Sequence, residues 1–348
     1  MKRWSVMKML VPWLLLLAAT SCGTTNDLAG GGIGGTGISV GKITAAGGTS
    51  VDVNGVAFDI TGATVTMDGR QGLQNDLKVG MIVKIDGTFY QDGSTGVAAS
   101  IEFKDNLEGP VDSVDPLGTG DTIVVIGQTV VVDSTTYFDD FSDTDVNGTV
   151  DVSEFMSQIK AGNVVEVSGL VDADGIIHAS YISLKSDMFR SDGAKIELKG
   201  TITYDQNTGT FAIGSLTIDF SSAGLEDIAV NAANNGLYVE VKSTSAPSNN
   251  VLIAASIEIE DEDHDADVGD RIEVEGFVTD MTGLAPDISF VVKGHIVQVN
   301  ADTIFEKGSV DNIKPNTKVE VKGTVDANGV LVADEIEIKS ADDEESEE

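Results

Sequence analysis

Cysteine, tryptophan, histidine and proline are all scarce in this chain of 348 residues, which holds one, two, three and six of them. The single cysteine excludes an intrachain disulfide and c-type haem attachment. Both tryptophans, Trp4 and Trp13, sit at the extreme N-terminus, so the remainder is poor in large aromatic rings. A glycosidase cleft lined with tryptophan sugar platforms is thereby disfavoured. His178, His264 and His295 lie far apart, which argues against a His-rich metal site. His178 and His295 fall in strand patterns and are expected at a rim or facing outward. Positive charge is short as well: 21 Lys plus Arg stand against 57 Asp plus Glu, for a formal net charge of −36. Such a surface repels nucleic acid and attracts cations. No Gly-x-Ser-x-Gly, phosphate loop or dinucleotide fingerprint occurs. The expectation is a protein that is not an enzyme and does not bind nucleic acid.

What is present begins with Met1-Lys2-Arg3, an apolar run over Met9–Ala19, and Thr20-Ser21-Cys22. A basic start, a short apolar core and small residues before a cut predict a secretory signal peptide over 1–21. The run is shorter than the ~20 residues of a membrane span. Ala19-Thr20-Ser21-Cys22 resembles a bacterial lipobox, with Ala19 where leucine is usual. That resemblance implies a lipid on Cys22, a membrane anchor, and a place in the cell envelope, with Gly23 favouring the outer membrane. Residues 22–36, rich in glycine, read as the lipidated N-terminus and a flexible tether. Losing the three basic residues of the signal takes the formal charge to −39.

Beyond the tether the chain repeats itself four times. Each copy opens on Gly-x-(Val/Ile): Gly41-Lys-Ile43, Gly109-Pro-Val111, Gly200-Thr-Ile202 and Gly276-Phe-Val278. Each later alternates apolar residues: Val83 and Ile85, Val165 and Val167, Val239 and Val241, Val319 and Val321. A glycine follows in three copies, Gly87, Gly169 and Gly323, and Ser243 stands there in the third. Each closes on Ala-x-x-Ile: Ala98/Ile101, Ala179/Ile182, Ala254/Ile257 and Ala333/Ile336. Period-two alternation with β-branched residues predicts half-buried strands, and the Asp-Gly and Asn-Gly pairs between them predict hairpin turns. About five short strands in roughly 70 residues favour a small closed barrel. A short helix is expected before the fourth strand, for example over Leu225–Ala233. The fold expected is all-β, a tandem array of about four five-stranded OB-like barrels, with a small β-sandwich as the alternative. The copies are placed at 37–104, 105–187, 194–261 and 270–339, before an acidic tail over 340–348 expected to be disordered.

Gly32-Ile-Gly-Gly-Thr-Gly37, Val53-Asn-Gly-Val-Ala-Phe58, Leu77-x-x-Gly80-Met-x-Val83 and Leu107-Glu-Gly-Pro-Val111 together resemble the bacterial repeat family called domain of unknown function 5666. The resemblance covers about 30–185 closely and the last two copies more loosely. It implies repeated modules in an envelope protein and supplies no activity and no catalytic residue.

One segment specifies a chemistry. Residues 143–154 read D-x-D-x-N-G-x-x-D-x-x-E, the pattern of an EF-hand calcium loop. Calcium takes six to eight oxygen ligands. Asp143, Asp145 and Asn147 would supply side-chain oxygens, Thr149 its carbonyl, Asp151 a direct or water-mediated contact, and Glu154 both oxygens. Gly148 would permit the sharp turn. Phe155–Ile159 would form a short exit helix. The opening glycines are 68, 91 and 76 residues apart. The long interval belongs to the second copy, so an insertion over 139–160 is expected there. The Glu258–Asp270 stretch, which holds His264, reads as a solvated acidic linker. The function expected is a calcium-binding interaction or scaffold module of the cell envelope, with an envelope protein or glycan as possible partner. The alternative is a small-ligand or glycan-binding protein using barrel mouths or grooves between copies.

Overall fold

The computed structural model describes residues 35–339, apart from 116, 191–194, 206–209, 226–234, 261–265 and 285–286. Cys22, the signal segment, most of the tether, nearly all of the Leu225–Ala233 stretch, His264 and the acidic tail lie outside the described residues. Leu225 itself belongs to a two-residue strand, Gly224–Leu225.

Every copy closes its sheet the same way. In the first, Gly35–Gly47, Ser50–Val53 and Val56–Asp59 form an antiparallel meander. The third strand pairs parallel with the fifth, Thr95–Phe103, which pairs antiparallel with the fourth, Ile82–Phe89. The fourth returns to the first strand, from Gly35↔Phe89 to Lys42↔Ile82, and the barrel is shut. The order 1-2-3-5-4-1 is that of an OB-like barrel, so the sandwich alternative is ruled out. A sixth short strand, Thr64–Met67, pairs parallel with the far half of the fifth.

The second copy repeats this with Leu107–Val114, Thr122–Val125, Gln128–Val131, Val164–Val171 and Ile177–Ser186, plus a side strand Tyr137–Asp139. The fourth uses Arg271–Leu284, Asp287–Val292, His295–Gln298, Lys318–Val325 and Leu331–Ile338, with side strand Ile304–Glu306. In the third, Ile196–Asp205, Thr210–Ile213, Leu216–Asp219 and Tyr238–Ser243 meet a fifth strand broken into Val251–Ile253 and Ser256–Ile259.

The recurring glycines mark two close approaches. The opening glycine lies in the first strand, which leaves the fourth strand and turns to the second. A Cβ on Gly109 would stand 2.7 Å from Ile126, and one on Gly276 2.8 Å from Val292. The later glycine packs on the carbonyl that precedes the buried alanine of the fifth strand, at a register shift found in copies one, two and four. Ala98, Ala179 and Ala333 are buried beside it, and Ala254 is buried at the corresponding place of copy three.

The array is not a simple string. The first strands of copies one and four pair parallel, Gly37↔Arg271 to Val40↔Val274. Those of copies two and three pair antiparallel at Glu108↔Glu197 and Leu107↔Leu198. Each junction covers a strand edge that an isolated barrel would leave open. The apolar interiors of copies two and three merge into one core, and Ile38 and Val40 of copy one join the core of copy four. Tyr181 of copy two packs into the core of copy one, edge-on to Phe103. His178 packs on Phe277 of copy four, with ring centroids 4.5 Å apart. His295 is buried, not outward-facing: it starts the third strand of copy four, opposite Val292. Among the described residues no helix is long and apolar enough to cross a membrane.

Candidate metal centre

The 143–154 segment lies between the side strand and the fourth strand of copy two. Copies one and four carry a single 3-10 turn there, Gln74–Asp76 and Val310–Asn312, preceded in copy one by the two-residue strand Arg70–Gln71. Copy two carries the loop and then a helix, Val152–Gln158. Tyr137–Phe141 forms no entering helix, since Tyr137–Asp139 is held as a strand against Tyr181–Ser183.

The loop is shaped by its own carboxylates. Asp143 accepts from the backbone N–H of Val146 (2.6 Å) and of Gly148 (2.8 Å). Asp145 accepts from Asn147 N–H (3.1 Å), and Asn147 Oδ1 from Thr149 N–H (3.0 Å). Val146 and Gly148 both adopt positive φ, 63° and 105°. Glycine reaches that region without strain; a β-branched valine does not, so the turn is held against a local cost. Donors aimed at Asp143, first that of Gly148, hold its carboxyl below the ordinary range.

Glu154 closes the loop. Its Oε1 accepts from Thr144 N–H (2.7 Å), Asp145 N–H (3.0 Å) and the Thr144 hydroxyl, and its Oε2 from Asp151 N–H (3.2 Å). The Thr144 hydroxyl leads the contacts that lower the Glu154 carboxyl. Asp151 caps the helix, accepting from Glu154 N–H (2.8 Å) in a reciprocal capping box. Beneath the loop, Phe155 is fully buried, stacked on Phe138 at 4.3 Å and edge-on to Phe141 at 5.0 Å. Gln158 ties the base, donating to Ser142 O (2.8 Å) and accepting from Ser142 N–H (2.9 Å).

Of the six ligands expected from sequence, the structure groups Asp143, Asp145 and Glu154, with one oxygen of each within 4.8 Å of the others. Asn147 and Thr149 lie in the same turn, bonded to each other. Asp151 is engaged as the helix cap. The donors Thr144 and Gln158 escaped the sequence reading, because a hydroxyl or amide that orients a ligand obeys no fixed spacing. The donor set, hard oxygens around a tight turn, suits a hard divalent cation better than a softer metal.

The profile of the domain of unknown function DUF5666 matches residues 40–102, 108–183 and 281–337. It thus covers copies one and two and most of copy four, and passes over copy three, which the structure shows to be a barrel of the same order. None of the curated proteins matches the chain. The three matched segments span more than half of the sequence, and the chain belongs to the DUF5666 family, whose function is unknown.

Proposed function

We propose that this protein is a non-enzymatic lipoprotein of the bacterial cell envelope, anchored through Cys22, whose barrels form an interaction scaffold stiffened by one calcium ion in the 143–154 loop. The observation that carries the calcium reading is the grouping of Asp143, Asp145 and Glu154 in a turn already shaped by internal hydrogen bonds. Such a loop loses little conformational freedom when the ion arrives. The Kd is expected at about 10⁻⁴ to 10⁻³ M, as in extracellular modules, because among the described residues no second such loop pairs with this one. Asp151 would serve the ion through water while keeping its cap. The ion would fix the loop over Phe138, Phe141 and Phe155 and so stiffen the side of copy two.

Calorimetric titration with calcium checks this. Glu154→Gln should weaken binding by about tenfold or more, since it removes the negative charge and one of the two oxygens that Glu154 would offer. Unchanged affinity in the folded variant would discard the loop as the site. The anchor has its own test: Cys22→Ala should abolish incorporation of labelled palmitate and move the protein from the membrane to the soluble fraction.

A second reading, small-ligand binding, has one observation in its favour. A cavity of about 540 Å³ lies where the four copies meet, with Lys84, Asn106, Gln128, Lys199, Tyr238 and Lys293 among its walls. A small molecule retained in native mass spectrometry of the purified protein would favour it.

A further inference from the structure

The connection between copies one and two holds the most deeply buried carboxylate cluster of the described residues. The Asp105 side chain is wholly inaccessible. Its backbone N–H donates to Asp68 Oδ1 (3.0 Å), in the turn after the side strand of copy one. Its Oδ1 accepts from Lys199 Nζ of copy three (2.8 Å). The neighbouring Asn106 completes the knot. Its N–H donates to Val167 O (2.8 Å), its Oδ1 accepts from Gly169 N–H (2.7 Å), and its O accepts from Lys199 N–H (2.9 Å). Residues 105–106 thus tie three copies together.

Asp105 Oδ2, in contrast, is buried and accepts no hydrogen bond. A buried carboxylate oxygen without a donor is costly. Glu166, on the fourth strand of copy two, brings a third carboxylate, itself buried. One oxygen from each of Asp68, Asp105 and Glu166 lies within 4.8 Å of the others.

The positive charge nearby is already committed. Lys199 is shared with Glu240 at 3.2 Å and stands 3.9 Å from Asp68. Lys185 holds Glu166 Oε2 at 2.9 Å, and Lys242 pairs with Glu240. Burial, outweighing Lys199 and helped by the charges of Asp68 and Glu166, pushes the Asp105 carboxyl up to about 7. The cluster is short of positive charge at its centre, where an acceptor oxygen lacks a partner.

We propose that Asp68, Asp105 and Glu166 form a second cation site, which takes a hard divalent ion (Mg²⁺, Mn²⁺ or Ca²⁺) at the junction of copies one and two. Oxygen ligands lie about 2.0–2.6 Å from such ions, so two ligands of one ion are at most about 4–5 Å apart, and the three oxygens here fall within that limit. Lys199 and Lys185 each hold one oxygen of their carboxylate and orient the other, as outer partners of a metal ligand do. Asp105 also borders the cavity where the four copies meet, which brings an entry path up to the site. The site differs in kind from the exposed loop. Its ligands come from two copies and the segment joining them, so the ion fastens copy one to copy two.

The test disables the loop first, which keeps this site separate from the calcium reading. The full chain carrying Asp143→Asn and Glu154→Gln is titrated with Mn²⁺ in 150 mM KCl, and free Mn²⁺ is read by electron paramagnetic resonance. One Mn²⁺ per chain is expected. Adding Asp105→Asn should weaken that binding by more than about tenfold. Asp68→Asn, in a turn and partly exposed, should do the same and guards against misfolding of the first variant; circular dichroism verifies the fold of each. Glu260→Gln, an acidic cavity residue outside the cluster, should leave binding unchanged. The proposal is overturned if the loop-disabled chain binds no Mn²⁺, or if binding survives both substitutions in folded protein.

Discussion

Gly169→Ala is expected to destabilise the second barrel by about 3 kcal/mol, the upper end of what overpacking a core position costs. Gly169 sits at the register shift between the fourth and fifth strands of copy two. A Cβ there would stand 2.8 Å from Ala179 Cα and closer still to His178 O. Both are backbone atoms, so no side chain can swing aside. Relief requires the strands to part, and two other contacts depend on them. Gly169 N–H donates to Asn106, and His178 faces Asp172 at 3.1 Å while packing on Phe277 of copy four. Copy three supplies the control. There Ser243 holds the corresponding place, its hydroxyl donating to Ile253 O at 2.7 Å, and the fifth strand is broken just beyond. Ser243→Gly, which also gives up the hydroxyl's acceptance from Ser245 N–H (3.1 Å), should therefore cost about 2 kcal/mol, the net worth of two hydrogen bonds. Because the copies are coupled, amide hydrogen exchange is the fitting measurement, read on Val164–Val171 and Ile177–Ser186 for the first substitution and on Tyr238–Ser243 and Ser256–Ile259 for the second. Equal effects of the two substitutions would defeat the steric account.

The same glycines explain why the repeats were legible. A strand that switches partners needs a position without Cβ, and a bulged fourth strand needs another, so Gly-x-Val and Ala-x-x-Ile recur where the closure geometry demands them. The grouping of Asp143, Asp145 and Glu154 was legible for a similar reason, since side chains that converge from one turn must sit at fixed intervals. Which barrel docks on which was not legible. Strand edges carry little code, and copies one and four are far apart in the chain. A trace exists all the same: Lys195-Ile-Glu197 and Arg271-Ile-Glu273 open the docking strands of copies three and four, and each pairs its own base with its acid. The charge of the segment Phe103–Glu108 suggests solvent, not a core. The structure buries Phe103, Asp105, Asn106 and Leu107, and the partners that make this tolerable, Asp68 and Lys199, come from distant segments.

Glu273 leads to the second large effect, a loss of stability as pH rises. Its side chain is fully buried at the junction of copies one and four, where it lies opposite Ser39 and Lys322. Arg271 holds Oε1, while Oε2 is buried without a donor. Burial outweighs the attraction of Arg271 and Lys322, Glu320 adds repulsion, and the carboxyl rises from 4.5 to about 7. Between those values the folded chain keeps a proton that the unfolded chain has released. Stability therefore falls as pH climbs from about 4.5 to about 7, and the loss is complete above that. The rise corresponds to about 3 kcal/mol. Asp143, Asp151 and Glu154 act in the opposite sense, because their carboxyls are lowered by hydrogen bonds. Their contribution is present above the ordinary carboxylate range and is lost only in acid, so it stays constant from pH 5 to pH 8. Glu273→Gln mimics the protonated acid at every pH. Relative to the parent it should be near neutral at pH 5 and gain stability by pH 8, up to that amount less whatever Arg271 loses with its partner. Denaturant midpoints for both chains across this range decide the matter: a difference that does not change with pH would mean that Glu273 is ionised throughout and that its burial is compensated by Arg271 after all.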